Sequence, residues 1–382
     1  MAHGEACGPS RVALLTPRFW PAIGGVERVA EGLARGLASR GLEVEVLTTD
    51  HTGHLPAIEA RDGLRVRRFP AVLARRYHGL SPALGWWVLR RARRYSVLHA
   101  FSYHTPVALE AGCASALRGV PLVVTPVYHG VSHSRSPLRR ALHGPYRLLA
   151  GRLLRHANAV ICLTEAERQL VWRHFGRGVH AEVIPPGIGT GRAGEVARPW
   201  QPTGRKVVLT VGRLEAYKQV DRLIDAVRYL PADFELVVVG DGRERSSLEA
   251  AASRPDLAGR VRVLGSVSDE ELASWYATAR VFAALSMHES FGLTVAEALA
   301  AGLPVVASDI PAHREVAASA PPGRVELLPG DSPPREIASA LARASGRERS
   351  GISQESPESS WEVSVDRVLD VYRRALAATC RA

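Results

Sequence analysis

Hydrophobic and polar positions along this chain fall into two kinds of run that take turns. Short apolar blocks at 11–15, 97–101, 121–125 and 158–164 read as strands, as do 206–213, 234–242, 261–267, 279–285 and 304–308. Most are apolar on both faces, as strands of a parallel sheet covered by helices must be. Residues 43–48 alternate instead, with Glu43 and Glu45 between apolar neighbours. The intervening segments have helical period: Val29, Leu33 and Leu37 form one stripe, Leu223, Ile224 and Val227 another, Leu272, Trp275 and Tyr276 a third. Further helices are predicted over 245–252, 295–301 and 361–376. Ser81 before Pro82, Thr164 before Glu167 and Ser268 before Glu271 carry the chemistry of helix N-caps. Strand, turn, helix, strand, repeated along the chain, predicts an α/β protein with doubly wound parallel sheets. Residues 183–188 read as the last strand of the first half, 189–205 as a Gly/Pro/Arg-rich linker, and 345–360 as a mobile segment rich in Ser, Glu and Gly.

Length and charge sharpen this picture. A chain of 382 residues exceeds what one core organises, so two domains are expected, and 46% hydrophobic content is ordinary for a globular protein. Cys7, Cys113, Cys162 and Cys380 are far apart with no Cys-x-x-Cys pair, against a disulfide framework or zinc site. No signal-peptide core opens the chain and no apolar run reaches about 18 residues, so a cytoplasmic, non-spanning protein is expected. The net charge of +11 is uneven: residues 1–200 carry 27 Lys+Arg against 13 Asp+Glu, and the remainder 22 against 25. Much of the excess lies on two basic amphipathic helices. One opens at Ser81-Pro82 and runs through Leu84, Trp86, Trp87, Val88 and Leu89 to Arg90, Arg91, Arg93 and Arg94. The other spans 136–156 and sets Leu138, Leu142 and Tyr146 against Arg139, Arg140 and Arg147. Such helices suit an anionic membrane surface, and equally a solvated face packed on the core. Nucleic acid is disfavoured, because the aromatics are not interleaved with the arginines as stacking platforms require.

One stretch, 286–302, carries chemistry. An apolar strand runs into Ser286-Met287-His288-Glu289-Ser290-Phe291-Gly292, then a helix stopped by Gly302 and Pro304. The amides of Gly292, Leu293 and Thr294 therefore point out of a helix N-terminus, which favours an anion. Glu289 precedes the helix and Glu297 lies on it. Read singly, each is as readily a solvated charge as a ligand for hydroxyl groups. Gly212-Arg213 ends a strand and Lys218 opens the next helix, placing two cations at one sheet edge. Surface ion pairing is the plain alternative. Gly24-Gly25 forms a turn after the first strand and His129 follows another. Alone, both read as loop structure. No Gly-x-Gly-x-x-Gly follows a strand, which disfavours a nicotinamide enzyme, and no Asp-x-Asp pair is present to hold a metal.

Taken together, Gly24-Gly25-Val26-Glu27, His129, Gly212-Arg213, Lys218, Gly240-Asp241-Gly242 and Glu289-x7-Glu297 resemble the retaining glycosyltransferases of family 4, along almost the whole chain. The resemblance implies a GT-B fold: two Rossmann-like domains facing a central cleft, residues 1–190 binding acceptor and 191–361 binding donor, with 362–382 packing back on the first. It implies transfer of a hexosyl group from a UDP- or GDP-sugar to a glycan, lipid-linked or small-molecule acceptor hydroxyl, without cofactor or divalent metal. Arg213 and Lys218 would hold the diphosphate, and Glu297 the ribose. Glu289 and His129 would meet the sugar, and the turn at Val267 the base. Gly24-Gly25 and the segment Ser290-Phe291-Gly292-Leu293 would approach the phosphates. Gln219 departs from the glycine usual after this lysine. A GT-B epimerase or phosphorylase, and a non-catalytic nucleotide-sugar-binding subunit, are the alternatives. The intact cation and carboxylate set argues against the latter.

Overall fold

The computed structural model describes residues 8–22, 24–75, 78–130, 137–188, 204–257, 259–349 and 360–380, without the side chains of 73–75, 78 and 137–145. Ile23, Ser136, most of the expected linker and most of the expected mobile segment lie outside these residues. The chain divides into two compact units, 1–187 with 358–382, and 188–357.

The first unit opens with β1 (Arg11–Leu15), α1 (Gly25–Ser39) and β2 (Glu43–Asp50). A hairpin of β3 (Ile58–Arg61) and β4 (Leu64–Pro70) follows, then a ribbon of β5 (Val72–Arg75) and β6 (His78–Leu80). Next come α2 (Pro82–Arg91), β7 (Val97–Phe101), α3 (Pro106–Arg118), β8 (Leu122–Thr125) and α4 (Pro137–His156). The last are β9 (Ala159–Cys162), α5 (Glu165–Phe175) and β10 (Ala181–Val183). The sheet runs β10-β9-β8-β7-β1-β2-β4-β3 and is parallel except for the β3–β4 hairpin. That hairpin turns at Asp62-Gly63, both at positive φ, the Asp-Gly signal of a tight hairpin.

One expectation needs correction here. The last strand of this half ends at Val183, not 188. Pro185 and Pro186 have no N–H to give a ladder, so pairing stops after Ile184 donates to Cys162 O at 2.9 Å. The alternating segment at 43–48 is the strand it predicts, with one of its acidic positions buried. Glu45 is 1% exposed and is held by Arg67 Nε at 3.0 Å, Arg11 Nη2 at 3.2 Å and the Tyr95 hydroxyl at 2.7 Å. A buried carboxylate is tolerable when paired and hydrogen-bonded in this way.

The second unit runs β11 (Lys206–Val211), α6 (Val220–Val227), β12 (Phe234–Val239), α7 (Arg245–Ala252), β13 (Val261–Gly265) and α8 (Asp269–Thr278). It continues β14 (Val281–Ala284), α9 (Leu293–Ala300), β15 (Val305–Ser308), α10 (Pro311–Ala318), β16 (Val325–Leu328) and α11 (Pro334–Ser345). Its sheet, β13-β12-β11-β14-β15-β16, is parallel throughout. Val208, Leu236, Val238 and Ile224 fill one face, and Leu209, Val237, Phe282 and Trp275 the other. Strand order reverses between β11 and β14. Open α/β sheets bind ligands beyond the carboxyl ends of strands at such a point.

A final helix, α12 (Trp361–Cys380), belongs to the first unit and lies along α1. Gly32 and Gly36 permit this contact: a Cβ there would sit 2.1 Å from Trp361 and 2.3 Å from Val365. Tyr372 is buried, its hydroxyl 2.7 Å from His99 Nδ1, and Ser364 donates to Pro185 O at 2.8 Å.

Candidate active site

At the carboxyl end of β11 the chain makes a tight approach to its neighbour. Gly212 N donates to Val239 O at 3.0 Å and Leu214 N to Asp241 O at 2.9 Å. A Cβ on Gly240 would lie 1.9 Å from Gly212 O, and one on Gly242 2.2 Å from Leu214 O. Only glycine fits at either position, so Gly240-Asp241-Gly242 is the bed on which Arg213 rests. The Arg213 guanidinium donates to the Tyr217 hydroxyl at 3.0 Å, and the Tyr217 ring stacks on His288 at 4.3 Å. Gln219 caps α6 with φ +52°, ψ +38°, the left-handed backbone that glycine adopts most easily. Its side chain offsets the cost by accepting from Arg222 Nη1 at 2.8 Å. The departure at 219 thus keeps the turn that carries Lys218.

The loop after β14 faces this one. Lys218 Nζ donates to Glu289 Oε1, and the two side chains are only 15% and 17% exposed. Burial alone would raise the Glu289 carboxyl. The Lys218 charge and hydrogen bond, with a further hydrogen bond from Ser286, overcome it and hold the group down at about 2. Burial opposes charge on Lys218 too, but Glu289 and Tyr217 raise it above its ordinary range. The pair is therefore fully ionised at neutral pH. Gly292 has φ +90° and caps α9, whose ladder begins with Val295 and Ala296 donating to Gly292 O. The amides of Leu293 and Thr294 precede that ladder at the positive end of the helix, two residues earlier than the expected start at 295.

Glu297, one turn into α9, is half-buried and accepts from the Tyr276 hydroxyl at 3.0 Å. It is not a solvated surface charge. Ser290 is buried, while Phe291 and Leu293 are half-exposed. Val267 follows β13 and packs on the same core face as Trp275 and Val295. Arg213, Lys218, Glu289 and Gly292 therefore converge at the β11/β14 switch point, with Glu297 along the same helix. Such a site combines cations and helix amides for an anion with carboxylates for hydroxyl groups. The sequence reading missed three supporting residues: Tyr217, Tyr276 as a polar group, and His313. Tyr276 had been counted only as an apolar helix position. Nothing in the spacing points to His313.

Gly24, Gly25 and His129 belong to the first unit. Gly24 N-caps α1 in extended backbone, and a Cβ there would meet Glu27 Oε2 at 2.3 Å. Glu27 is 9% exposed and takes a forked contact from Arg18, Nε at 2.9 Å and Nη2 at 2.7 Å. Gly24 thus makes room for a carboxylate of its own helix, while nothing stands within 4 Å of a Cβ at Gly25. His129 is half-buried just beyond β8. Buried Glu167 braces its loop, accepting from Tyr128 N at 2.6 Å and Leu163 N at 2.7 Å and so tying the ends of β8 and β9 together.

Residues 23–192 match Glycosyltransferase Family 4, and residues 196–329 match Glycosyl transferases group 1. A D-inositol 3-phosphate glycosyltransferase of Xylanimonas cellulosilytica is 30% identical over 96% of this chain and 97% of its own. The chain belongs to the family 4, group 1 glycosyltransferases. This glycosyltransferase is also 33% identical to a GDP-mannose-dependent alpha-mannosyltransferase of Mycolicibacterium smegmatis, over 83% of this chain and 84% of that one. Among solved structures, Anabaena Alr3699/HepE in complex with UDP-glucose superposes with a TM-score of 0.67 at 20% identity. The match covers 97% of this chain and 99% of that one. That likeness identifies the glycosyltransferase as a GT-B fold.

Proposed function

We propose that this glycosyltransferase transfers a hexosyl group from a UDP- or GDP-sugar to an acceptor hydroxyl, with retention of anomeric configuration and without a divalent metal. The buried Lys218–Glu289 pair beside Arg213 carries this reading. A diphosphate leaving group gathers charge as the glycosidic bond breaks, and fixed cations with helix amides stabilise that charge where it forms. Arg213 and Lys218 take the diphosphate, Glu297 the ribose hydroxyls, and Glu289 the sugar. His129 is proposed to meet a sugar hydroxyl, the role the family resemblance gives it. The GDP-mannose dependence of the Mycolicibacterium relative, and UDP-glucose in the Anabaena complex, support a nucleotide-sugar donor. Arg213→Ala and Lys218→Ala are each expected to lower transfer by about 10²–10³-fold, the worth of one such donor. Wild-type rates in both variants would overturn the assignment.

The first unit adds a membrane reading. Trp86 on α2 is 57% exposed with the Arg90 guanidinium 4.3 Å over its ring, and Arg91, Arg93 and Arg94 are exposed beside it. Leu148 and Leu149 of α4 are exposed as well. Exposed apolar residues on two arginine-bearing helices suit the anionic inner face of a membrane, and hence a lipid-linked acceptor. No helix among the described residues is long and apolar enough to cross a membrane.

A further inference from the structure

His313, on α10, is 1% exposed and lies beside the loop that carries Glu289. Its Nδ1 is 2.9 Å from Ser308 O, and a carbonyl can only accept, so Nδ1 carries the hydrogen. Burial pushes the imidazole below its ordinary range. The Glu289 charge and the Ser308 carbonyl act the other way without overcoming it, and Lys218 adds to the depression. These are the groups that face the ring, and they leave it neutral. Its Nε2 is then a bare lone pair, buried and without a hydrogen-bond partner among the described residues. A buried acceptor left unpaired is costly, and native structures seldom keep one without use.

What that lone pair faces narrows the use. A Cβ on Gly292 would stand 3.0 Å from His313 Cδ2 and 3.5 Å from Nε2, so the ring edge lies directly against the left-handed glycine that starts α9. Any larger residue at 292 would seal this edge. The Glu289 carboxylate is close enough for its charge to act on the ring, and the α9 amides follow Gly292 along the chain. A carboxylate and a neutral imidazole nitrogen are both acceptors. Two acceptors side by side repel anions and call for hydroxyl donors, which a sugar supplies on adjacent carbons.

We propose that His313 Nε2 accepts a hydrogen bond from a hydroxyl of the sugar carried by the donor, making His313 a residue that contacts substrate and helps choose it. This rests on the nucleotide-sugar reading of the site. The Ser308 contact fixes the tautomer, so the ring can only accept at Nε2. A sugar without a hydroxyl at the matching carbon would forfeit the bond.

Two variants separate this role from simple support of the loop. His313→Asn retains an amide donor for Ser308 O and removes the group at Nε2. His313→Gln reaches the Nε2 position with an acceptor oxygen and gives up the Ser308 contact. Calorimetric titration with UDP and GDP, then with UDP-glucose and GDP-mannose, reads the sugar's share. His313→Asn is expected to bind the free nucleotide like wild type and its sugar conjugate about tenfold more weakly, the loss of one hydrogen bond. His313→Gln is expected to recover most of that loss while melting at a lower temperature. Equal weakening of nucleotide and conjugate, or no weakening of either, would overturn the proposal. Should the Asn protein not fold, a Gln protein as weak as tenfold for conjugates alone would count against it. Wild-type protein that binds no conjugate would instead contradict the donor reading beneath it.

Discussion

Glu289 is the residue on which the charge balance of the site turns. It is mostly buried, yet the Lys218 ammonium holds its carboxyl near 2, against an ordinary glutamate near 4.5. A carboxylate depressed in the folded state contributes stability above the unfolded value. That contribution is lost as pH falls through the folded value. Glu289→Gln should therefore lower unfolding free energy at pH 7 by about 3–5 kcal/mol, because it leaves Lys218 buried without its counter-charge. At pH 3, where the unfolded-state carboxyl is already mostly protonated, the gap between variant and wild type should shrink. Denaturant unfolding at the two pH values reads this directly, and an equal gap at both would show that Glu289 acts by packing alone. At this scale Glu289, Glu297, Arg213 and Lys218 stood out through the family resemblance, since read singly each passes for a surface charge. Their partners did not, since Tyr276 and His313 reach the site through tertiary packing that no local period encodes.

At the scale of elements, apolar runs sufficed to find most strands and helices, because parallel strands buried on both faces differ sharply from their surroundings. Ser81, Thr164 and Ser268 do cap their helices, accepting from Leu84, Glu167 and Glu271 amides at 3.4, 3.1 and 3.1 Å. The clearest miss has a simple cause. The β3–β4 hairpin alternates arginine with apolar residues, so charge masked its period, and only Asp62-Gly63 betrayed it. The basic helix α2 gives a test at this scale. Each arginine near an anionic surface contributes about 1 kcal/mol, so Arg90→Glu with Arg91→Glu should weaken binding to anionic vesicles by roughly 10²-fold or more while sparing neutral ones. Vesicle flotation measures it, and equal binding of wild type to neutral and anionic vesicles would remove the electrostatic argument.

For the whole molecule, the sequence carried the two-unit α/β organisation and the family, because the motifs sit at strand ends that the fold itself dictates. Donor base, sugar and acceptor were not legible. They depend on backbone turns such as the one at Val267 and on loop shapes that side-chain identity does not reveal. The charge asymmetry belongs to this scale as well: the basic excess is confined to the first unit. The central claim is that protein cations, not a metal, hold a nucleotide-sugar diphosphate in the second unit. Its most direct test is calorimetric titration of the wild-type protein with UDP-glucose and GDP-mannose in the presence of EDTA. Saturable binding of at least one donor, lost in Arg213→Ala, is the predicted result. Binding that appears only when a divalent metal is restored would contradict it.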